Sequence, residues 1–337
     1  MNKVAIFGGL GFMGVHMVQH IHEVFPEASI VLFDVSNYDT LDSYRRRIID
    51  NAKCEIVFCD VRQPIYYNEN ENFDFIFNFA AIHREPGHEH YEYFETNISG
   101  AQNITKWANK VSCQSIIFSS SISPYGTLNT SIKDEDTITC PDSAYGSSKL
   151  VAEHIHRTWC STNSDRHLLI IRPGVVYGPT EGGNVTRLIK MLKYRVAIYA
   201  GNKDVEKAGI YIKELCNATL WLLEWSKLSK MKVTLANLSY WDCPTFQDYA
   251  EAIDSVRGNK SITISIPYGL LLFMSYLIYP ISLVSQTLKS LHPVRVEKLR
   301  RKNYVKPSLL IKEGYLWKYS FEESFKDWKN SRKEEWK

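Results

Sequence analysis

The chain has 337 residues, of which 45% are hydrophobic and 23% charged, with 17 Gly and 12 Pro; this excludes collagen-like and wholly disordered chains, and the length can bury a sizeable core without metal or disulfide staples. Its 40 Lys+Arg and 37 Asp+Glu leave a formal charge of +3, too balanced to imply a nucleic-acid partner. The 7 cysteines are scattered, odd in number and without a Cys-x-x-Cys pair, so a reducing compartment and a cytoplasmic location are expected.

Val4-Ala-Ile-Phe7 is a short apolar run ending at Gly8-Gly9, which reads as a buried strand feeding a tight turn. No basic leader precedes it and no small-residue cleavage site follows, so it is expected to be structure and not a targeting signal. Phe12, Val15, Val18, Ile21 and Phe25 then recur at helical spacing up to Pro26. A second strand, Ile30–Phe33, ends in Asp34. Strand-like runs over 54–59, 73–79, 115–119 and 167–171 alternate with helix-like segments over 89–111 and 143–160. That alternation predicts an α/β protein, a doubly wound parallel sheet of Rossmann type with helices on both faces. The expected division is a dinucleotide-binding domain over 1–174, to which about 208–237 returns, and a smaller substrate lobe over 175–337.

Gly8-Gly-Leu-Gly11-Phe12-Met13-Gly14 lies between the first strand and the first helix. Glycines at this spacing let backbone approach a pyrophosphate at a helix N-terminus, where unpaired N–H groups and the helix dipole favour anions. Asp34, ending the second strand, can accept hydrogen bonds from adenosine ribose hydroxyls and would repel a 2′-phosphate, so NAD is favoured over NADP.

Tyr145-Gly-Ser-Ser-Lys149 opens a helix, and residues four apart share a helix face. A lysine ammonium beside a phenol is expected to lower the phenol pKa from about 10, so that the tyrosine exchanges a hydroxyl proton during hydride transfer to nicotinamide. Ser119-Ser120-Ser121 closes the fifth strand; carboxyl ends of parallel strands line the ligand crevice, where a serine can hydrogen-bond the reacting oxygen.

Taken together, Gly8-x-x-Gly11-x-x-Gly14, Asp60-Val-Arg62, Asn78-Phe-Ala-Ala81, Asn97, Ser119-Ser-Ser121, Tyr145-x-x-x-Lys149 and Arg172-Pro173…Tyr177-Gly178-Pro179 resemble the extended short-chain dehydrogenase/reductase family, in its NAD-dependent epimerase/dehydratase branch. The resemblance implies that Ser121 and Tyr145 contact the reacting oxygen, with Tyr145 as acid/base, and that Lys149 holds the nicotinamide ribose. It places Asp60 and Val61 beside the adenine, Phe79, Ala80 and Ala81 along the cofactor channel, Asn97 as their support from the next helix, and Pro173 and Val176 near the nicotinamide. It also implies a homodimer through the helices containing Asn97 and Tyr145.

Where the 4,6-dehydratases of this family carry Thr-Asp-Glu, the chain has Ser121-Ile122-Ser123, which disfavours elimination of water. Val175 stands where many 4-epimerases have Asn, and Lys207 where they place an Arg against the substrate diphosphate; a lysine offers charge but no bidentate fork. Asn184 and Arg187 are further diphosphate or nucleotide candidates, and His83 and Arg84 are candidate sugar contacts. The expected activity is epimerase or oxidoreductase chemistry at a secondary alcohol, chiefly C4 of a nucleotide-activated hexose. One alternative is a 3β-hydroxysteroid dehydrogenase-like oxidation of a lipidic ring alcohol at a membrane surface; another is a catalytically idle dinucleotide-responsive binding module.

The loop His83-Arg-Glu-Pro-Gly-His88-Glu-His90 has a metal-like composition but reads as a polar substrate-facing loop, and no metal is expected. From Ser261 to Leu288 there is no Asp, Glu, Lys or Arg, and basic residues follow. Tyr268–Tyr279 is too short to span a bilayer. It is expected to form a buried helix pair in the second lobe, with peripheral membrane contact through 264–302 as the alternative. Tyr315–Trp328 resembles the closing strand and last helix of the family.

Overall fold

The computed structural model describes residues 1–83, 87–127, 132–200, 203–282, 293, 296 and 302–337. In chain order the strands are β1 (Lys3–Phe7), β2 (Ser29–Asp34), β3 (Glu55–Phe58), β4 (Phe75–Asn78), β5 (Ser115–Ser119), β6 (His167–Pro173), β7 (Val175–Tyr177), β8 (Val196–Ala200), β9 (Gly209–Tyr211), β10 (Val233–Leu238) and β11 (Ile262–Ile266). The helices are α1 (Phe12–Val24), α2 (Ser43–Asn51), α3 (His90–Lys110), α4 (Ala144–Ser161), α5 (Asn184–Leu192), α6 (Ile212–Leu228), α7 (Phe246–Arg257), α8 (Tyr268–Ser282), α9 (Ser308–Lys312) and α10 (Phe321–Ser331).

Seven parallel strands form one sheet in the order β10-β6-β5-β4-β1-β2-β3, the doubly wound arrangement expected from the alternating pattern. The side-chain alternation of a strand accounts for the two cores. Val4 and Ile6 of β1 join the apolar cluster that includes α1, α2 and α6, whereas Ala5 and Phe7 join the cluster on the α3 and α4 side. There Phe7 stacks on Phe33 at 4.6 Å, and Trp107 meets the pair edge-on. Strand order reverses at β1, which pairs with β2 on one side and β4 on the other. The register sets Phe7 beside both Phe33 and Asn78, so the loops after these three strands open from one edge. That edge is where ligands bind in open parallel sheets. Two further parallel ribbons, β7–β9 and β8–β11, stand apart from the main sheet.

One expectation is overturned. The apolar Tyr268–Tyr279 segment is helical, but most of its described side chains are not buried. Leu270, Phe273, Met274, Tyr276 and Leu277 are all exposed, and among its described side chains only Ser275 is buried. Hydropathy reports a preference for leaving water; it does not supply a neighbour to pack against. Among the described residues, no helix is long and apolar enough to cross a membrane.

Candidate active site

The glycine turn is built as a cradle. Gly8 has φ +73°, and a side chain there would strike the backbone of Ala80 at 2.8 Å. At Gly14 a Cβ would lie 2.4 Å from the Gly8 carbonyl oxygen, so the turn and the first turn of α1 close on each other only without side chains. Gly11 caps α1 without a side-chain acceptor, leaving the helix N-terminus open to an anion. The Asp34 carboxylate accepts the Leu10 N–H at 3.0 Å and the Ser36 N–H at 2.8 Å, which fixes it against the cradle. A group of dinucleotide shape fits these residues: a phosphate-sized anion meets bare backbone, and Asp34 keeps lone pairs for hydroxyls.

Around the cradle, Phe79, Ala80 and Ala81 are half-buried at the end of β4, and the Phe79 N–H donates to Phe7 O at 2.9 Å. Asn97 is buried on α3; its amide accepts from Ile82 N at 3.1 Å and donates to Ser148 Oγ at 2.8 Å, tying the β4 loop to α4. Val61 is buried under Gly100, and the Asp60 carboxylate is gripped by Arg62 at 2.7–3.0 Å. Phe12 and Met13 are half-buried in the first turn of α1, with Met13 Sδ 3.9 Å from Ser119 Oγ.

Helix α4 begins under a Ser143 cap whose Oγ accepts the Gly146 N–H at 3.1 Å. A side chain at Gly146 would strike Ser123 O at 2.7 Å, so this glycine lets the helix start directly against the serine loop and delivers Tyr145 to Ser121. The Ser121 hydroxyl acts on the Tyr145 phenol; Ser121 Oγ lies 3.1 Å from Ser123 Oγ and accepts the Ser123 N–H at 3.1 Å. One turn on, Lys149 is buried, with Nζ donating to Ser119 O at 2.8 Å and lying 4.9 Å over the Phe118 ring. Ser121, Tyr145 and Lys149 therefore converge at the β5 end. Pro173 O accepts the Ile122 N–H at 3.2 Å, and Val176 lies half-buried on β7.

Electrostatics depart from expectation at Tyr145. Its phenol is pushed up to about 12, chiefly by burial; the Ser121 hydroxyl acts the other way and Tyr93 adds to the rise. No lowering by Lys149 acts on this phenol; the amine instead donates to Ser119 O. Burial lowers Lys149 to about 7, against a smaller upward pull from Glu153.

Glu153 is a site residue that motif reading missed. Buried one helical turn beyond Lys149, it accepts Ser120 Oγ–H at 2.5 Å and two bonds from Arg172 at 2.8 and 2.7 Å. The Arg172 guanidinium lies 4.7 Å over the Tyr125 ring, and Tyr125 OH donates to Asn237 Oδ1 at 2.8 Å. Glu135 completes the chain of contacts, accepting the N–H groups of Asn237 at 2.9 Å, Ser308 at 3.1 Å and Leu309 at 3.3 Å. In the sequence Glu153 is four residues after Lys149 and Arg172 directly precedes Pro173, spacings that do not by themselves bring the pair together.

The substrate candidates are more dispersed. His83 is exposed after β4, and Arg84 lies outside the described residues. Asn184 and Arg187 stand on the exposed side of α5. Lys207 is half-buried beside β9, its N–H donating to Pro244 O at 2.8 Å. Among the described residues, no three His, Cys, Asp or Glu side chains gather as a metal site; His88 pairs with Glu92 at 3.5 Å.

Comparison with known proteins agrees with this fold. The model of the NAD-dependent epimerase/dehydratase family matches residues 4–234. N-acetyl-alpha-D-glucosaminyl-diphospho-ditrans,octacis-undecaprenol 4-epimerase of Escherichia coli O157:H7 is 26% identical over 301 residues, 88% of this chain and 85% of the relative. A putative UDP-glucose 4-epimerase of Methanocaldococcus jannaschii is 29% identical, over 66% of this chain and 73% of its own. Among solved structures, UDP-glucuronic acid 4-epimerase from Bacillus cereus in complex with NAD superposes with TM-score 0.75 over 99% of this chain and 100% of that one, at 18% identity. The UDP-Glc/GlcNAc 4-epimerase from Campylobacter jejuni gives 0.73 over 98% and 99%, also at 18%. At such identities the structural likeness is one of fold.

Proposed function

The chain belongs to the NAD-dependent epimerase/dehydratase family, and from that premise we propose that it inverts C4 of a diphosphate-activated hexose, a nucleotide sugar in the first instance, while retaining its own NAD. The observation that carries this reading is the meeting of Ser121, Tyr145 and Lys149 beside the glycine cradle. The relatives and solved structures reported above are sugar 4-epimerases; they lend no support to a ring-alcohol dehydrogenase or an idle binding module.

Gly8, Gly11 and Gly14 would hold the pyrophosphate and Asp34 the adenosine ribose, with Val61, Phe79, Ala80 and Ala81 along the channel. When bound, NAD supplies reversible two-electron oxidation of a secondary alcohol. Ser121 Oγ–H donates to the C4 oxygen, and Tyr145 exchanges the proton of that oxygen in both directions, giving it up as the 4-keto group is reduced from its other face. A phenol near 12 stands in its acid form at neutral pH, the form that protonates the C4 oxygen on return; the outward half needs the phenolate, whose share grows as pH rises. Lys149, near 7, titrates where small changes around it alter its charge. Lys207, Asn184 and Arg187 are the candidate diphosphate contacts, and His83 a sugar contact.

The substrate lobe is inferred to comprise 175–337, with β10 and α6 serving the dinucleotide half. A homodimer through α3 and α4 is supported by exposed Tyr91, Phe94 and Val151. A second reading concerns what carries the sugar. The Escherichia coli relative is named for a diphospho-undecaprenol substrate, and the exposed apolar side of α8 favours a polyprenyl carrier and membrane contact here too.

The test is to denature the purified protein, quantify released dinucleotide, and assay UDP-hexoses and UDP-N-acetylhexosamines for C4 inversion without added cofactor. About one NAD per chain and inversion are expected; Tyr145→Phe should keep the NAD and lose about 10²–10⁴-fold in turnover. An unchanged rate in that variant would overturn the assignment of Tyr145.

A further inference from the structure

Leu270, Phe273, Met274 and Leu277 follow the i, i+3, i+4, i+7 spacing of one helix face, yet that face is turned outward. Phe273 is 61% exposed, Leu277 62%, Leu270 52% and Met274 44%. Tyr276, also exposed, flanks the stripe beside Phe273, and tyrosine suits the boundary between apolar and wet phases. Immediately upstream, Ile262 and Ile264 project from one face of β11 at 70% and 46% exposure. An outward apolar stripe such as that of α8 marks a binding face.

The sequence around it fits one partner. Residues 261–288 contain no Asp, Glu, Lys or Arg, whereas residues 289–302 contain Lys289, Arg295, Lys298, Arg300, Arg301 and Lys302 against the single acid Glu297. An apolar helix beside a basic stretch complements an anionic lipid surface, not an acid-rimmed protein groove. The 15 residues of α8 extend about 22 Å at 1.5 Å per residue, short of a hydrocarbon core of about 30 Å, so the helix lies on the bilayer and does not cross it.

Where the chain returns from the basic stretch, it enters the candidate site. Lys302 Nζ is 3.3 Å from Glu206 Oε2, the Asn303 N–H donates to Glu206 O at 3.0 Å, and the Ala208 N–H donates to Asn303 O at 2.9 Å. These bonds bracket Lys207, the candidate diphosphate contact. Val305 then packs with Tyr125 and Ala208, against which Ile122, next to Ser121, also rests.

We propose that the outward face of α8 seats the protein on an anionic bilayer, and that the site walled by Asn303–Val305 takes a lipid-carried diphospho-sugar from the membrane. The docking surface stands on its own observations; its purpose rests on the epimerase reading above.

Flotation of the full chain with vesicles of phosphatidylcholine and 30% phosphatidylglycerol tests the surface. Wild type is expected to float with these vesicles and much less with phosphatidylcholine alone. Phe273→Glu/Leu277→Glu should lose at least tenfold of the bound fraction while keeping its NAD, its Tm and its rate on a water-soluble nucleotide sugar. On a polyprenyl-diphosphate-linked N-acetylhexosamine in the same vesicles, that variant should fall at least tenfold below wild type. The milder Phe273→Ser/Leu277→Ser repeats the test should the charged pair fail to fold. Wild type remaining unbound, equal binding by the variant, or a wild-type dimer that the variant alone splits would each overturn the docking face. Vesicle binding with no inversion of either substrate would instead sink the epimerase reading and leave the docking face standing.

Discussion

Val4-Ala-Ile-Phe7 and Leu270–Leu277 are both runs of large apolar residues, and they meet opposite fates. Every residue from Val4 to Phe7 is fully buried, because β1 is hydrogen-bonded on both edges and covered by helices on both faces. Helix α8 satisfies its backbone internally and needs no neighbour to form, so nothing in its own structure obliges another element to cover it. A central strand of a parallel sheet carries its partners with it; an apolar helix can fold and still be left facing outward. The difference shows that apolarity becomes fold only where backbone pairing recruits the opposing surface.

Stability measurements sharpen this contrast. Phe7→Ala should cost about 3–5 kcal/mol in denaturant unfolding, through lost transfer energy and the cavity left against Phe33 and Trp107; a loss below about 1 kcal/mol would break the comparison. Lys149 should behave oppositely to a core residue at neutral pH. Its folded value near 7 lies below the ordinary 10.5. Below pH 7 both states hold the proton, and the folded state bears the burial penalty in full. Between pH 7 and 10.5 the unfolded chain binds more protons, so stability rises with pH, and above 10.5 the penalty is gone. Lys149→Met should therefore stabilise the cofactor-free protein by about 2–4 kcal/mol at pH 6, with the gap closing towards pH 10. A gap independent of pH would show that this amine is not penalised by burial. Smallest of all, Phe273→Ser should change stability by no more than about 0.5 kcal/mol, since its ring covers little in the monomer.

The elements on the β1 side of this contrast were the legible ones. Glycine spacing, strand periodicity and the Tyr145–Lys149 helix are local patterns, and local patterns survive in sequence. The doubly wound sheet and the cofactor follow from them. Two features were not legible. Glu153 matters because β6 and the loop after β5 bring Arg172 and Ser120 to it, and periodicity assigns it only to a buried helix face. The Tyr145 phenol is expected to fall and instead rises, because the sequence places an amine four residues away but shows neither the burial that raises the phenol nor the turn of that amine to Ser119 O. The fate of α8 was misjudged for the reason given above: hydropathy says that a segment avoids water, not what it meets.

Glu135 carries a consequence for the living cell. It gathers N–H groups from β10 and from the start of α9, and through Asn237, Tyr125 and Arg172 it braces the serine loop. Two of these donors, Ser308 and Leu309, come late in the chain, so the brace on the serine loop closes only once residue 309 has left the ribosome.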